Sequence, residues 1–338
     1  MRKLLYALAA TTLLITSWAQ AAPELRADHP ERYTVVKGDT LWDISGRFLN
    51  NPWYWPEIWH VNPQVANPHL IYPGDRLALV YIDGKPRVTK VASSDVVKLS
   101  PQVRSEPIDT PIPAIPLDAI SSFLTDIRIV SPEELSGAPY VLEGEDGRII
   151  TGAGDRIYAR GEKPADKVGI FRRTREFRDP DTGEFLGLEA RSIGAGKVTA
   201  ENGDVLTLSL TKSNQEIRIG DRLLTNIDRP IATSFMPSSP DEQVEGEMIA
   251  VDGGVTQIGQ FDVVAINRGE REGLKSGNVM AVMKAGNMVR DPITGETIEL
   301  PSERAGLMMV FQVYDKMSYG LILQATRPLA VGDKVTNP

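Results

Sequence analysis

The 338-residue sequence predicts a small α+β module ordered strand, helix, helix, strand, followed by a mostly-β region of two related barrel-like or sandwich-like units. Three observations carry this reading. Four of the five tryptophans fall between residues 42 and 59, beside apolar residues at helical spacing. Two heptapeptides, RDPDTGE at 178–184 and RDPITGE at 290–296, agree at six of seven positions. Between and around them, alternating runs such as 205–210 (VLTLSL) and 320–324 (GLILQ) are separated by glycine-rich turns.

The amino terminus comes first. Arg2 and Lys3 precede an apolar run from Leu4 to Trp18 and then Ala19-Gln20-Ala21, a small-residue triplet suited to signal peptidase. Residues 1–21 are therefore expected to be a cleaved signal peptide, because the run is shorter than the roughly 20 residues of a membrane-spanning helix. No later segment is apolar enough to span. The mature chain is expected to be exported, periplasmic or wall-associated, with 22–31 as a short arm.

Residues 32–82 form the first module. Tyr33 to Val36 are aromatic or β-branched and read as a strand, and Lys37-Gly38-Asp39-Thr40 make a turn ending in helix-capping residues. Leu41, Ile44 and Phe48 place one helix from Leu41 onward. Pro56 fits the first turn of a second helix reaching about Val61, and residues 76–82 (RLALVYI) make the closing strand.

YTVVKGDTLWDISGRFL followed by VNPQVANPHLIYPGDRLAL resembles a LysM domain over about residues 32–80. The GDTLW turn, the helix pattern, the Asn-Pro and the IYPGD turn occur in the family's order and spacing. The resemblance implies a βααβ fold that binds N-acetylglucosamine-containing glycans, chiefly peptidoglycan. It implies a shallow groove between the loop before the first helix and the loop before the last strand. By position, Gly38, Asp39, Thr40 and Leu41 would form one wall, and Asn67, Pro68, His69, Leu70, Ile71 and Tyr72 the other. NPWYWPEIW at 51–59 is more aromatic than the usual inter-helix segment, and Trp53 and Trp55 in it are candidates for stacking on sugar rings.

The same residues also have plainer readings. Gly38 is a turn glycine, Asp39 and Thr40 cap a helix, Leu41 and Ile71 face a core, and His69 is a solvated loop side chain. Trp42 and Trp59 read as packing residues.

Residues 83–126 read as a linker, because Pro86, Pro101, Pro107, Pro111, Pro113 and Pro116 interrupt regular structure. Within it, IPLDAISSFL at 115–124 has the pattern of a short amphipathic helix that could dock on the following domain. Beyond it an internal duplication is expected, with units at 136–227 and 245–337. The heptapeptides lie 112 residues apart, as do GDRL at 220–223 and GDKV at 332–335, while YARG at 158–161 and INRG at 266–269 lie 108 apart. Each DPxTG segment reads as a hairpin turn. A calcium site from Asp179, Asp181 and Glu184 is disfavoured because Ile293 replaces the second acid in the other copy.

Composition narrows the function. With 45 acidic against 37 basic residues, the net charge is −8, so a nucleic-acid partner is not expected. The chain has no cysteine and only three histidines, His29, His60 and His69. Cysteine nucleophiles, thiolate metal sites and a histidine-ligated zinc beyond residue 69 are thereby excluded. No cofactor or metal is expected. The chain is expected to be a non-catalytic peptidoglycan-binding protein whose residues 136–337 serve as a scaffold or bind an envelope protein. A wall hydrolase working through carboxylates, or an assembly factor recruited to the wall, are the alternatives.

Overall fold

The computed structural model describes residues 23–59, 71–91, 112–225, 235–252, 257–286 and 288–338. The expected signal peptide and residues 92–111 lie outside them. In the amino-terminal module, β1 (Arg32–Thr34) leads through the turn at Gly38 into α1 (Leu41–Phe48). Thr40 caps α1: its Oγ1 accepts from the Asp43 N–H at 3.1 Å, and its own N–H donates to the Asp43 carboxylate at 3.3 Å. Leu41, Ile44 and Phe48 point to the core as the spacing predicts, at 7%, 2% and 0% exposure.

The second helix differs from expectation. A 3₁₀ turn at Pro52–Tyr54 runs into α2 (Trp55–Ile58), which stops at Ile58 because Trp59 turns extended and bridges to Val88. The strand β2 (Arg76–Ile82) matches its predicted span. It is followed by β3 (Lys85–Val91), formed from residues read as linker, so the sheet order is β1-β2-β3. Pro86 is tolerated because β3 is an edge strand. The Asp83-Gly84 turn, with positive φ at both residues, joins β2 to β3. The arm lies along α1, with the Arg26 N–H donating to the Phe48 carbonyl at 2.9 Å.

The rest of the supposed linker is also structured where it is described. After a stretch without regular structure at 112–116 comes α3 (Leu117–Asp126), the amphipathic helix expected there. Next are β4 (Ile127–Val130) and α4 (Pro132–Gly137). The strands that follow are β5 (Tyr140–Gly144), β6 (Ile150–Thr151), β7 (Arg156–Arg160), β8 (Lys167–Arg178), β9 (Phe185–Asn202), β10 (Val205–Ser213), β11 (Ile217–Arg218) and β12 (Arg222–Thr225). Because β10 pairs with both β7 and β9, six of these close into a ring, β5-β7-β10-β9-β8-β12, with β4 added beside β9. Ile157, Ile170, Leu208 and Leu223 fill it.

A second closed barrel uses β13 (Glu245–Val251), β14 (Val263–Ile266), β15 (Val279–Lys284), β18 (Glu303–Val313), β19 (Ser318–Ala325) and β20 (Lys334–Thr336). Between β15 and β18, β16 (Met288–Arg290) and β17 (Thr297–Glu299) form a separate hairpin. The ring order is β13-β14-β19-β18-β15-β20, the path traced by the six strands of the first ring. These are barrels, not sandwiches. Helix α3 lies on the outside of the second one, where Ile120 and Phe123 pack with Val263, Phe311 and Tyr319.

Both DPxTG segments are turns with one hydrogen-bond pattern. The Asp179 Oδ1 accepts from the Asp181 and Thr182 N–H groups, and the Asp291 Oδ1 accepts from those of Ile293 and Thr294. Gly183 and Gly295 take φ of 72° and 76°. Their surroundings differ. The first turn is clasped by the second barrel: Asn267 donates to the Asp179 Oδ2 at 2.8 Å, and Arg271 makes a bidentate pair with Glu184 at 2.9 and 3.0 Å. The second hairpin leaves Met288, Ile293 and Ile298 exposed.

The clasp makes a pH prediction. Arg271 and then Lys316 lower the Glu184 pKa from 4.5 to about 2. A carboxylate with a lowered folded pKa contributes stability above its unfolded value, and that contribution is lost as pH falls through the folded one. The barrel–barrel contact should therefore weaken between pH 4.5 and about 2. Thermal melts of the wild type should show a steeper fall across that window than those of Glu184→Gln; parallel curves would remove the pair from the contact.

Candidate functional site

The groove is built on two turns of the same kind. In each, a Gly-Asp pair places glycine at positive φ and directs the aspartate back to the N–H three residues upstream. The Asp39 Oδ2 accepts from the Val36 N–H at 2.9 Å and from the Tyr33 hydroxyl at 2.8 Å. The Asp75 Oδ2 accepts from the Tyr72 N–H at 3.0 Å. The turns are tied through Val35, whose N–H donates to the Asp75 carbonyl and whose carbonyl accepts from the Gly74 N–H. The loop before α1 and the loop before β2 thus stand side by side.

The predicted wall residues fall into three groups. Gly38 sits at φ 98° with open space around its Cα, so it leaves the backbone of the first wall accessible. Asp39 and Thr40 are 8% and 4% exposed and engaged in the turn and the cap, while Leu41 and Ile71 are core residues at 7% and 1%. What Leu41 and Ile71 offer a ligand is backbone. Tyr72 is half-buried, with the Lys90 ammonium 5.9 Å from its ring centroid. Asn67, Pro68, His69 and Leu70 lie outside the described residues.

The two stacking candidates separate. Trp55 is corrected to a core residue at 3% exposure, because the 3₁₀ turn at Pro52–Tyr54 tucks it against the centre of the module. Trp53 is half-buried and stacked on Tyr54, ring centroids 3.8 Å apart, with its other contacts toward the second barrel. Trp42, at 4% exposure, joins the same inter-module cluster. Asp39, Trp42 and Arg47 line a cleft of about 520 Å³ that is closed on its far side by Gln260 and Leu323 of the second barrel.

Sequence reasoning missed two contributors. Lys90 belongs to β3, hidden by the prolines of the supposed linker. Residues 112–114 lie against the walls themselves. Ile112 donates its N–H to the Ile71 carbonyl at 2.8 Å, while Leu41 and Trp42 donate theirs to the carbonyls of Pro113 and Ala114 at 3.0 and 3.1 Å. No local pattern announces a contact between residues so far apart in sequence.

Residues 33–79 match the family model described as LysM domain. The amino-terminal module is a LysM domain. A second match is to a protein of Bacillus subtilis (strain 168) described as uncharacterized protein YqbP, 40% identical over 60 residues. That match covers 15% of this chain and 27% of the relative, so the likeness spans about a quarter of the relative's length. The LysM domain supports glycan binding in general. Among the described residues no group of three or more His, Asp or Glu side chains is placed to hold a metal ion, and no helix is long and apolar enough to cross a membrane.

Proposed function

We propose that the chain is an exported, non-catalytic peptidoglycan-binding protein that holds N-acetylglucosamine-containing strands through its LysM domain, while its two barrels serve as a scaffold or partner-binding body. The observation that carries this reading is the LysM domain, whose two turn-built walls stand side by side. An N-acetylated sugar needs amide and hydroxyl partners and shallow apolar contact; it needs no charge. One such site is expected to be weak, about micromolar to millimolar, so retention on the wall draws on many glycan sites.

The non-catalytic part rests on how the buried acids are used. Asp179 and Asp221 are tied to turns, and Asp221 is also paired to Arg172 at 2.8 Å. Asp333 is tied the same way and paired to Lys284 at 3.1 Å. Glu189 accepts from Thr174 at 2.6 Å and from Tyr319 at 2.8 Å.

Arg172 and Lys284 lie 112 residues apart, as do Asp221 and Asp333. Those matched pairs, the common ring order and the matched DPxTG turns support an internal duplication. The exposed second hairpin, beside a first one clasped in cis, supports partner binding by the carboxyl-terminal unit.

The test is retention on purified sacculi. The full chain should co-sediment, should be released by an excess of N-acetylglucosamine hexamer, and should liberate no soluble muropeptides. Retention indifferent to the sugar would refute the glycan reading, and muropeptide release would refute the non-catalytic one.

A further inference from the structure

Residues 112–114 occupy the place where the glycan is proposed to sit. They touch both walls at once: the Ile71 carbonyl on one side, the Leu41 and Trp42 amides on the other. Their side chains belong there too, since Ile112 and Ala114 are 9% and 8% exposed and pack within the LysM core cluster.

The chemistry of the segment matters. It offers an N–H donor at Ile112, a carbonyl acceptor at Pro113 and a methyl at Ala114. An acetamido group presents the same three features: amide N–H, amide carbonyl and methyl. Pro113 and Pro116 restrict the backbone of the stretch, which lowers the entropy lost when it lies down. Immediately afterwards the chain is anchored elsewhere, with Ile115 fully buried beside Trp42 and the second barrel, and Ile120 and Phe123 of α3 in the same cluster.

We infer that Ile112–Ala114 is an internal strap that competes with N-acetylated glycan for the LysM groove. The inference rests on the glycan reading above. When the strap is down, the Leu41 and Trp42 amides and the Ile71 carbonyl are already paired, so a sugar needing them must wait for the strap to lift. Apparent affinity is then the intrinsic affinity reduced by the fraction of molecules with the groove open. Because the strap continues into α3, whatever loosens α3 from the second barrel raises that fraction.

The experiment compares the full-length wild type with the full-length double variant Ile112→Asp/Ala114→Asp, in which charge opposes burial of the strap. Two readouts are taken: hydrogen exchange at the Leu41 and Trp42 amides, and affinity for N-acetylglucosamine hexamer. The Leu49 amide, bonded to the Ser45 carbonyl at 2.8 Å, reports whether α1 remains folded. The expected result is rapid exchange at Leu41 and Trp42, protection kept at Leu49, and affinity raised by about tenfold or more.

Pro113→Gly removes only the backbone restraint. It should move both readouts in the same direction by less, and it decides the matter if the double variant loses Leu49 protection. Equal affinities in wild type and variants, with Leu41 and Trp42 deprotected, would overturn the strap while leaving glycan binding intact. Absence of hexamer binding in all three proteins would overturn the glycan reading and the competition with it.

Discussion

Trp55→Ala is expected to unfold the LysM module while the barrels stay folded. Trp55 is 3% exposed and sits among Phe48, Ile58, Leu77 and Val88. Truncating a buried aromatic costs about 3–5 kcal/mol, through lost transfer energy and the cavity left behind. A module of some 50 residues holds only roughly 3–7 kcal/mol in total. The loss is therefore comparable with the whole, and a partly folded module is not the expected outcome. Circular dichroism melts should show an early transition absent from the wild type, and sacculus binding should vanish with it. A single unshifted transition would mean that Trp55 is not part of the core.

Phe123→Ala is expected to free α3 from the second barrel. Phe123 is 4% exposed and meets Tyr319 with ring centroids 5.4 Å apart and Phe311 edge-on at 6.1 Å. The packing loss is again about 3–5 kcal/mol, with the aromatic pairs adding about 0.5–1.5 kcal/mol each. The second barrel has its own filling of Met248, Val264, Ile266, Met308 and Ile322, so it should remain closed. The loss falls instead on the contact between α3 and the barrel. Small-angle scattering should report a larger radius of gyration with unchanged far-ultraviolet dichroism. An unchanged radius would show that Trp42 and Ile115 hold the modules together without the helix.

How much of this was legible in the sequence varies with how local each signal is. Helix α1 was readable because its cap, first turn and apolar face are contiguous, from Thr40 to Phe48. The closing strand β2 was readable for the same reason. Strand β3 was not, because the proline at its second residue looks like linker, and only the buried Val88 betrays it. Trp55 stands between the Asn-Pro at 51–52 and the proline that opens the second helix, a place that suits a stacking ring, but the chain makes a 3₁₀ turn there that buries it.

In the barrels, the DPxTG turns and alternating strands announced β-structure. Closure depends on β10 pairing with both β7 and β9, which no single segment encodes. At the candidate site, the Gly-Asp turns could be predicted. The strap could not, because the bond between Ile112 and Ile71 joins residues separated by a segment with no pattern pointing from one to the other.

The account rests on the LysM groove receiving an N-acetylated glycan, and a backbone-amide NMR titration of the full-length Ile112→Asp/Ala114→Asp variant with N-acetylglucosamine hexamer tests that most directly. The predicted result is saturable shifts at Gly38, Asp39, Thr40, Leu41, Trp42, Ile71 and Tyr72, with the barrel amides unmoved. Shifts that cluster on the barrels, or none at hexamer concentrations well above millimolar, would contradict it.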